Sequence, residues 1–307
     1  MSTIVHTEPE SSRKTGRSTI ARLLVASASD RESRGAMLLA AALSGRDHSE
    51  VLALGVALPF PRNHAGLFSM RTASVIDEED RRAVLEHLER SVRDVDGAAT
   101  WTKQATVGMP ADVINNVASA SRASMIVMGA GRHKTLDRVF HGETAIAVMR
   151  RAQVPVLAVP PGVRELPRHA LAAVDFTRAS AAAADLATQL IAADGHVTLA
   201  HVCAFGGAVY REGDLVDIYR TGARAKLDHF VQELRARAAV RVVSTMLEGE
   251  PASALLEYAR REHCDLIALG GHEQGLMDRI LLGSVRTQVL RGARCSVLIV
   301  PPQAESA

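Results

Sequence analysis

The amino-acid sequence of this chain repeats itself. Residues 124–161, SMIVMGAGRHKTLDRVFHGETAIAVMRRAQVPVLAVPP, align without a gap to residues 265–302, DLIALGGHEQGLMDRILLGSVRTQVLRGARCSVLIVPP, with 13 of the 38 positions identical. The identities include Gly129/Gly270, Asp137/Asp278, Arg138/Arg279, Gly142/Gly283 and the closing Pro-Pro. Upstream, VGMPADVINNVA (107–118) keeps the register against EGEPASALLEYA (248–259), and RLLVASASDRES aligns with LAAVDFTRASAA once a few residues are allowed for. A fixed internal period means one structural unit used twice. At 307 residues the chain has the length of two such units, each large enough for its own core. The expected division is a polar, disordered tail over 1–18, a first domain over 19–162 and a second over 163–307, with PPGVRELPRH (160–169) as linker.

Within each copy, short apolar runs bounded by Gly, Pro or polar clusters read as buried strands: ARLLVAS, EVLALGVAL, WTKQATV, SMIVMG and VPVLAVP, then HVTLAHV, VRVVSTM, DLIALG and CSVLIVP. Helical segments separate them. DEEDRRAVLEHLERSVRDV spaces Val84, Leu85, Leu88, Val92 and Val95 along one face and places acids in its expected first turn. PADVINNVASAS and PASALLEYARRE open with Pro where a first helical turn accepts it, and ARAKLDHFVQELRARA is a further, solvated helix. Strands alternating with helices, and apolar along their whole length, predict a parallel sheet covered on both faces. The fold class is therefore α/β, with two tandem doubly wound, Rossmann-like domains.

Composition excludes several functions. Lys plus Arg number 36 against 34 Asp plus Glu, without the basic excess of a nucleic-acid binder, and aromatics at 3% leave no stacking platform. No apolar run reaches the ~18 residues of a membrane span, and no signal peptide opens the chain, so a cytoplasmic protein without membrane association is expected. Cys203, Cys264 and Cys295, odd in number and set in apolar runs, read as buried thiols in a reducing compartment. The sequence contains no P-loop, no nucleophile elbow and no metal-ligand spacing, so neither an enzyme nor a metal site is expected, and any hydrolysis of a bound nucleotide would be slow. His196 and His201 flank a strand at odd spacing, as polar edge residues on opposite faces.

In a doubly wound sheet, ligands sit beyond the carboxyl ends of the strands where the strand order reverses. The glycines after SMIVMG and DLIALG fall there, and Gly283-Ser284 opens a helix whose free N–H groups form an anion site. Glycine after a strand is also ordinary turn chemistry, so both readings stand at this point.

Taken over nearly its full length, the repeat resembles the universal stress protein family in its tandem two-domain form. That family has a fold like that of the adenine nucleotide alpha hydrolases, and its ATP-binding members carry Gly, two residues, Gly, nine residues, Gly, then Ser or Thr. In the second copy Gly270, Gly283 and Ser284 match with the spacing intact, and Glu273 replaces the second glycine. The resemblance further implies that Asp175 lies near a bound nucleotide, Val202 against the adenine, and His272 and Val285 close to the phosphates. The implied ligand is ATP or a related adenine nucleotide.

The first copy departs further. Arg132 replaces the second glycine, Glu143 the hydroxyl residue, and Ser27 is aligned with Asp175. A carboxylate at a helix N-terminus would satisfy the free N–H groups itself and repel a polyphosphate, so the first copy is expected to be structural. Arg132 and Glu273 stand at equivalent positions and invite charge compensation across a pseudo-twofold. The terminal strands VPVLAVPP and CSVLIVPP are apolar sheet edges that must be paired or covered. By resemblance they pair with each other, giving an internal pseudo-dimer that leaves homodimerisation and unknown protein partners open. The competing function is a nucleotide-free interaction module with both sites degenerate.

Overall fold

A computed structural model of the chain describes residues 20–27, 30–59, 73–130, 141–203, 214–271 and 284–302. The first repeat runs β1 (Arg22–Ser27), α1 (Asp30–Asp47), β2 (Glu50–Ala57), α2 (Ala73–Arg93), β3 (Thr102–Val107), α3 (Pro110–Ala120), β4 (Met125–Gly129), α4 (His141–Arg151) and β5 (Val156–Val159). The second follows in the same order: β6 (His169–Ala173), α5 (Arg178–Leu190), β7 (His196–Cys203), α6 (Asp214–Arg237), β8 (Arg241–Glu248), α7 (Pro251–Arg261), β9 (Leu266–Gly270), α8 (Ser284–Gly292) and β10 (Ser296–Val300).

The ten strands of the described residues form one sheet in the order β3-β2-β1-β4-β5-β10-β9-β6-β7-β8. Pairing is parallel within each repeat, as the continuously apolar strands require. Among the described residues only the junction is antiparallel: β5 and β10 pair at Val297↔Ala158, Leu298↔Leu157 and Ile299↔Val156. The two closing strands thus remove each other's edge, as expected of an internal pseudo-dimer.

Alternation along the strands sorts side chains to two faces. On one face, Leu23 and Val25 of β1 and Ala170 and Ala172 of β6 join Met37 of α1 and Ala184 of α5 in a single core that crosses the repeat boundary. The other face carries two cores, one around Ile126, Ile114 and Val148, the other around Ile267, Leu255 and Val289. Met149 of α4 and Leu290 of α8 pack against both of them and bridge the seam. A polar tie crosses on the continuous face, where Arg46 at the end of α1 donates to the Ile191 carbonyl (2.9 Å) and to that of Gln189 near the end of α5. A guanidinium there satisfies carbonyls that a helix terminus leaves without partners.

Two sequence expectations change in detail. Because α2 begins at Ala73, the acids from Asp77 onward fall after its first turn, which contains none. The Pro-led helices behave as expected, with Pro110 and Pro251 at their starts; Glu250 additionally caps α7 by accepting from the N–H groups of Ala252 (3.2 Å) and Ser253 (2.8 Å). Cys203 and Cys264 are buried, but Cys295, one residue ahead of β10, is only half-buried.

Candidate functional site

In the second repeat the strand order reverses between β6 and β9, since the chain leaves β6 toward β7 and β8 and returns on the other side. Asp175, two residues past β6, and Gly270, the last residue of β9, lie at the carboxyl ends of these two paired strands. This is where an open α/β sheet binds ligands.

A hydrogen-bonded turn holds Asp175. Its Oδ1 accepts from the Thr177 N–H (3.0 Å) and from Thr177 Oγ1 (2.6 Å). Thr177 is in turn the N-cap of α5, accepting from the Ser180 N–H at 3.2 Å. Between them Phe176 has φ +65°, a left-handed conformation that a bulky residue adopts only when its surroundings impose it. Its ring lies 4.6 Å, centroid to centroid, from that of His201, and Lys226 Nζ stands 5.9 Å from the Phe176 centroid.

His201 departs from its expectation as an edge residue. It is buried in β7, with Nδ1 2.7 Å from the Val174 carbonyl and Nε2 3.2 Å from the Tyr219 hydroxyl. A carbonyl can only accept, so Nδ1 carries the proton, and in the neutral ring Nε2 accepts from Tyr219. Odd spacing does put His196 on the opposite face, where its ring stacks on His169. Val202, the next residue along β7, also points to that face and is half-buried among the partners of the α7/α8 core, as is Val285 of α8. Ser284 is the first residue of α8, so the helix N-terminus stands where the glycine-hydroxyl pair places it. His272, Glu273 and Gly283 lie outside the described residues, as do Arg132 and both Asp-Arg pairs.

Packing gives two of the glycines a reason of their own, and one alignment of the first copy is corrected. A Cβ on Gly270 would stand 2.3 Å from the Ser180 backbone nitrogen and 2.5 Å from the Ala179 carbonyl carbon. Gly129 is hemmed in the same way by the Glu32 carbonyl, at 2.6 Å from its oxygen. These glycines are therefore demanded by the close seating of α5 and α1 on the sheet, a constraint that does not involve a ligand. The strand register also moves the first-copy counterpart of Asp175. Leu23 pairs with Met125 as Ala170 pairs with Leu266, so Ser27 corresponds to Val174, and the position of Asp175 falls to residue 28, an alanine in the sequence. Glu143 lies in the first turn of α4, which begins at His141.

Phe176, Tyr219 and Lys226 escaped the sequence reading. Only the fold brings α6 beside the turn after β6, and no local spacing signals it. Among the described residues no group of three His, Cys, Asp or Glu side chains could hold a metal ion, and no helix is long and apolar enough to cross a membrane.

Comparison with known proteins gives the same picture of two units. A model of the universal stress protein family matches residues 19–160 and again 167–301. A universal stress protein of Methanocaldococcus jannaschii is 39% identical over 70 residues, 23% of this chain and 41% of that protein, so the chain spans less than half the length of this relative. One from Mycolicibacterium smegmatis is 27% identical over 240 residues, 76% of this chain and 81% of its own. The crystal structure of a universal stress protein from Archaeoglobus fulgidus superposes with a TM-score of 0.69 at 18% identity, covering 93% of this chain and 99% of that one, and establishes likeness of fold.

Proposed function

The chain belongs to the universal stress protein family, and from that premise we propose that it is a stress-response protein whose second repeat, 163–307, binds ATP or a related adenine nucleotide and acts by changing conformation or partners. The first repeat, 19–162, serves as its structural counterpart. The observation that carries this reading is the asymmetry at the two switch points. The second repeat presents the carboxylate turn at Asp175 beside the end of β9, where the first has an alanine in sequence. Ser284 at the start of α8 supports it, with Val202 and Val285 on the same side of the sheet. Catalysis is not part of the proposal, and neither is a metal. Any homodimer would use a surface other than β5 and β10, because those strands already pair with each other.

A second reading, a nucleotide-free interaction module, is favoured by one contact: Asp175 Oδ1 is engaged by both Thr177 donors within its own turn. Glu273, in place of a family glycine, points the same way. Gentle purification followed by denaturation and mass analysis of released small molecules, with calorimetric titration of ATP, ADP and AMP into stripped protein, separates the two. Binding near one equivalent per chain, abolished by Asp175→Ala or Ser284→Glu, supports the nucleotide reading. No released nucleotide and no heat at millimolar ligand rejects it.

A further inference from the structure

Between the repeats, where α4 and α8 meet beside the β5–β10 seam, lies a cavity of about 490 Å³. That volume is within the ~300–1,000 Å³ of small-molecule sites. Its walls come from both halves of the chain: Ile146 of α4 and Pro160 after β5 from the first, Leu290 of α8 and Val297 of β10 from the second. The polar side of the same cavity is cationic, with Arg291 at the end of α8 and Arg294 beyond it, and no acidic side chain is among its described lining residues.

The cationic side is not a by-product of the duplication. Arg291 corresponds to Arg150 in the first repeat, and a cation in the last turn of a helix needs no ligand to explain it. Arg294, however, lies past the helix and corresponds to Gln153. The apolar strand positions behind it are kept, Val297 matching Val156. This cavity combines an apolar chamber with a second guanidinium, a group whose planar donors suit carboxylate and other oxyanions.

We propose that this cavity is a second ligand site, for an organic anion with an apolar body, its head held by Arg294 and Arg291 and its body packed among Ile146, Leu290 and Val297. Such a ligand touches both repeats at once and so fixes their relative placement. The site is separate from the nucleotide site, and the two proposals fail independently.

The test is fluorescence titration of the intact chain with anilinonaphthalenesulfonate, an apolar sulfonate, with decanoate and its neutral twin decanol as competitors. Saturable binding of one dye per chain is expected, displaced by decanoate and not by decanol. Replacing both arginines, Arg291→Gln with Arg294→Gln, should weaken it by about tenfold or more through loss of charge-assisted hydrogen bonds, with Arg150→Gln as an unaffected control. Ile146→Trp, which fills the apolar wall, should abolish it. Fluorescence that does not saturate, competition by decanol equal to that by decanoate, or a dye affinity unchanged in the double arginine variant would each overturn the proposal. The arginine side chains are exposed, and matching unfolding midpoints for that variant and the parent confirm that its fold is intact.

Discussion

His169 and His196 stack at 4.0 Å between ring centroids, with their planes 26° apart, at the cross-strand position where the first repeat has the ion pair of Arg22 and Glu50. His169 is held from both sides, Nδ1 at 3.1 Å from the Glu262 carbonyl and Nε2 at 2.9 Å from Thr198 Oγ1. The carbonyl requires Nδ1 to donate, so in the neutral ring Nε2 accepts from Thr198. A pair of opposite charges in one repeat is matched by a pair of stacked imidazoles in the other.

This substitution makes stability depend on pH. Burial, then the neighbouring His169, then Arg241 hold the His196 pKa below its ordinary value. Between that folded value and an unfolded value of ~6.5 the unfolded chain binds more protons, so stability rises with pH. The penalty is absent above ~6.5 and grows as the pH falls through it. Urea unfolding of the parent and of His196→Gln, at pH values on either side of ~6.5, should show a smaller loss on acidification in the variant. Equal losses would assign the dependence to other groups.

Cys264 is expected to be chemically inert despite its company. Its Sγ lies 3.6 Å from both ring nitrogens of His169, yet burial first, and Cys295 next, push its pKa up to about 12. His169 donates its Nδ1–H to the Glu262 backbone carbonyl. Alkylation of the native protein at mildly alkaline pH, read by peptide mass, should label half-buried Cys295 ahead of Cys264. Labelling of Cys264 at the faster rate would mean that the histidine activates it.

Gly270→Ala should destabilise the protein by about 1–3 kcal/mol, because the new methyl meets fixed backbone in α5 and the helix must shift. Gly129→Ala should cost a similar amount against α1. Gly222, in the middle of α6 with open space around its would-be Cβ, provides the contrast: Gly222→Ala should stabilise by up to ~1 kcal/mol. Denaturant midpoints for the three variants test the assignment of the two strand-end glycines to helix seating.

Thr177→Ala removes both the cap on Ser180 and the hydroxyl contact to Asp175 Oδ1. The N–H of residue 177 can still reach Asp175, so the loss should be near the ~1 kcal/mol of a missing N-cap. If the turn exists to hold the carboxylate for a nucleotide, the same variant should weaken nucleotide affinity beyond what its stability change accounts for. Calorimetry beside thermal unfolding makes that distinction.

Much of the architecture was legible because it depends on local pattern and on repetition. Apolar runs of strand length between amphipathic segments specify a parallel α/β unit, and the ungapped alignment from Gly129/Gly270 to the final Pro-Pro states that the unit occurs twice. The unpaired edges of VPVLAVPP and CSVLIVPP already required a partner, and the two strands supply it to each other. The helix start at Ser284 follows from the glycine-hydroxyl pair, whereas the position of Asp175 came from the family resemblance.

What the sequence left open depends on distances between elements far apart in the chain. Whether Gly270 is bare for a ligand or for a helix depends on how closely α5 sits on β9, and that is a packing distance. Which residue stands opposite Asp175 depends on strand register, where a shift of one position exchanges the two faces of a sheet. His201 became a buried, doubly bonded ring because Val174 and Tyr219 reach it from other elements, and Arg294 became part of a cavity because two helices meet at the seam. Periodicity and spacing determine the elements and their order, because those rest on interactions between near neighbours. The chemistry of each side chain was decided only in the folded chain, because burial and hydrogen-bond partners are long-range properties.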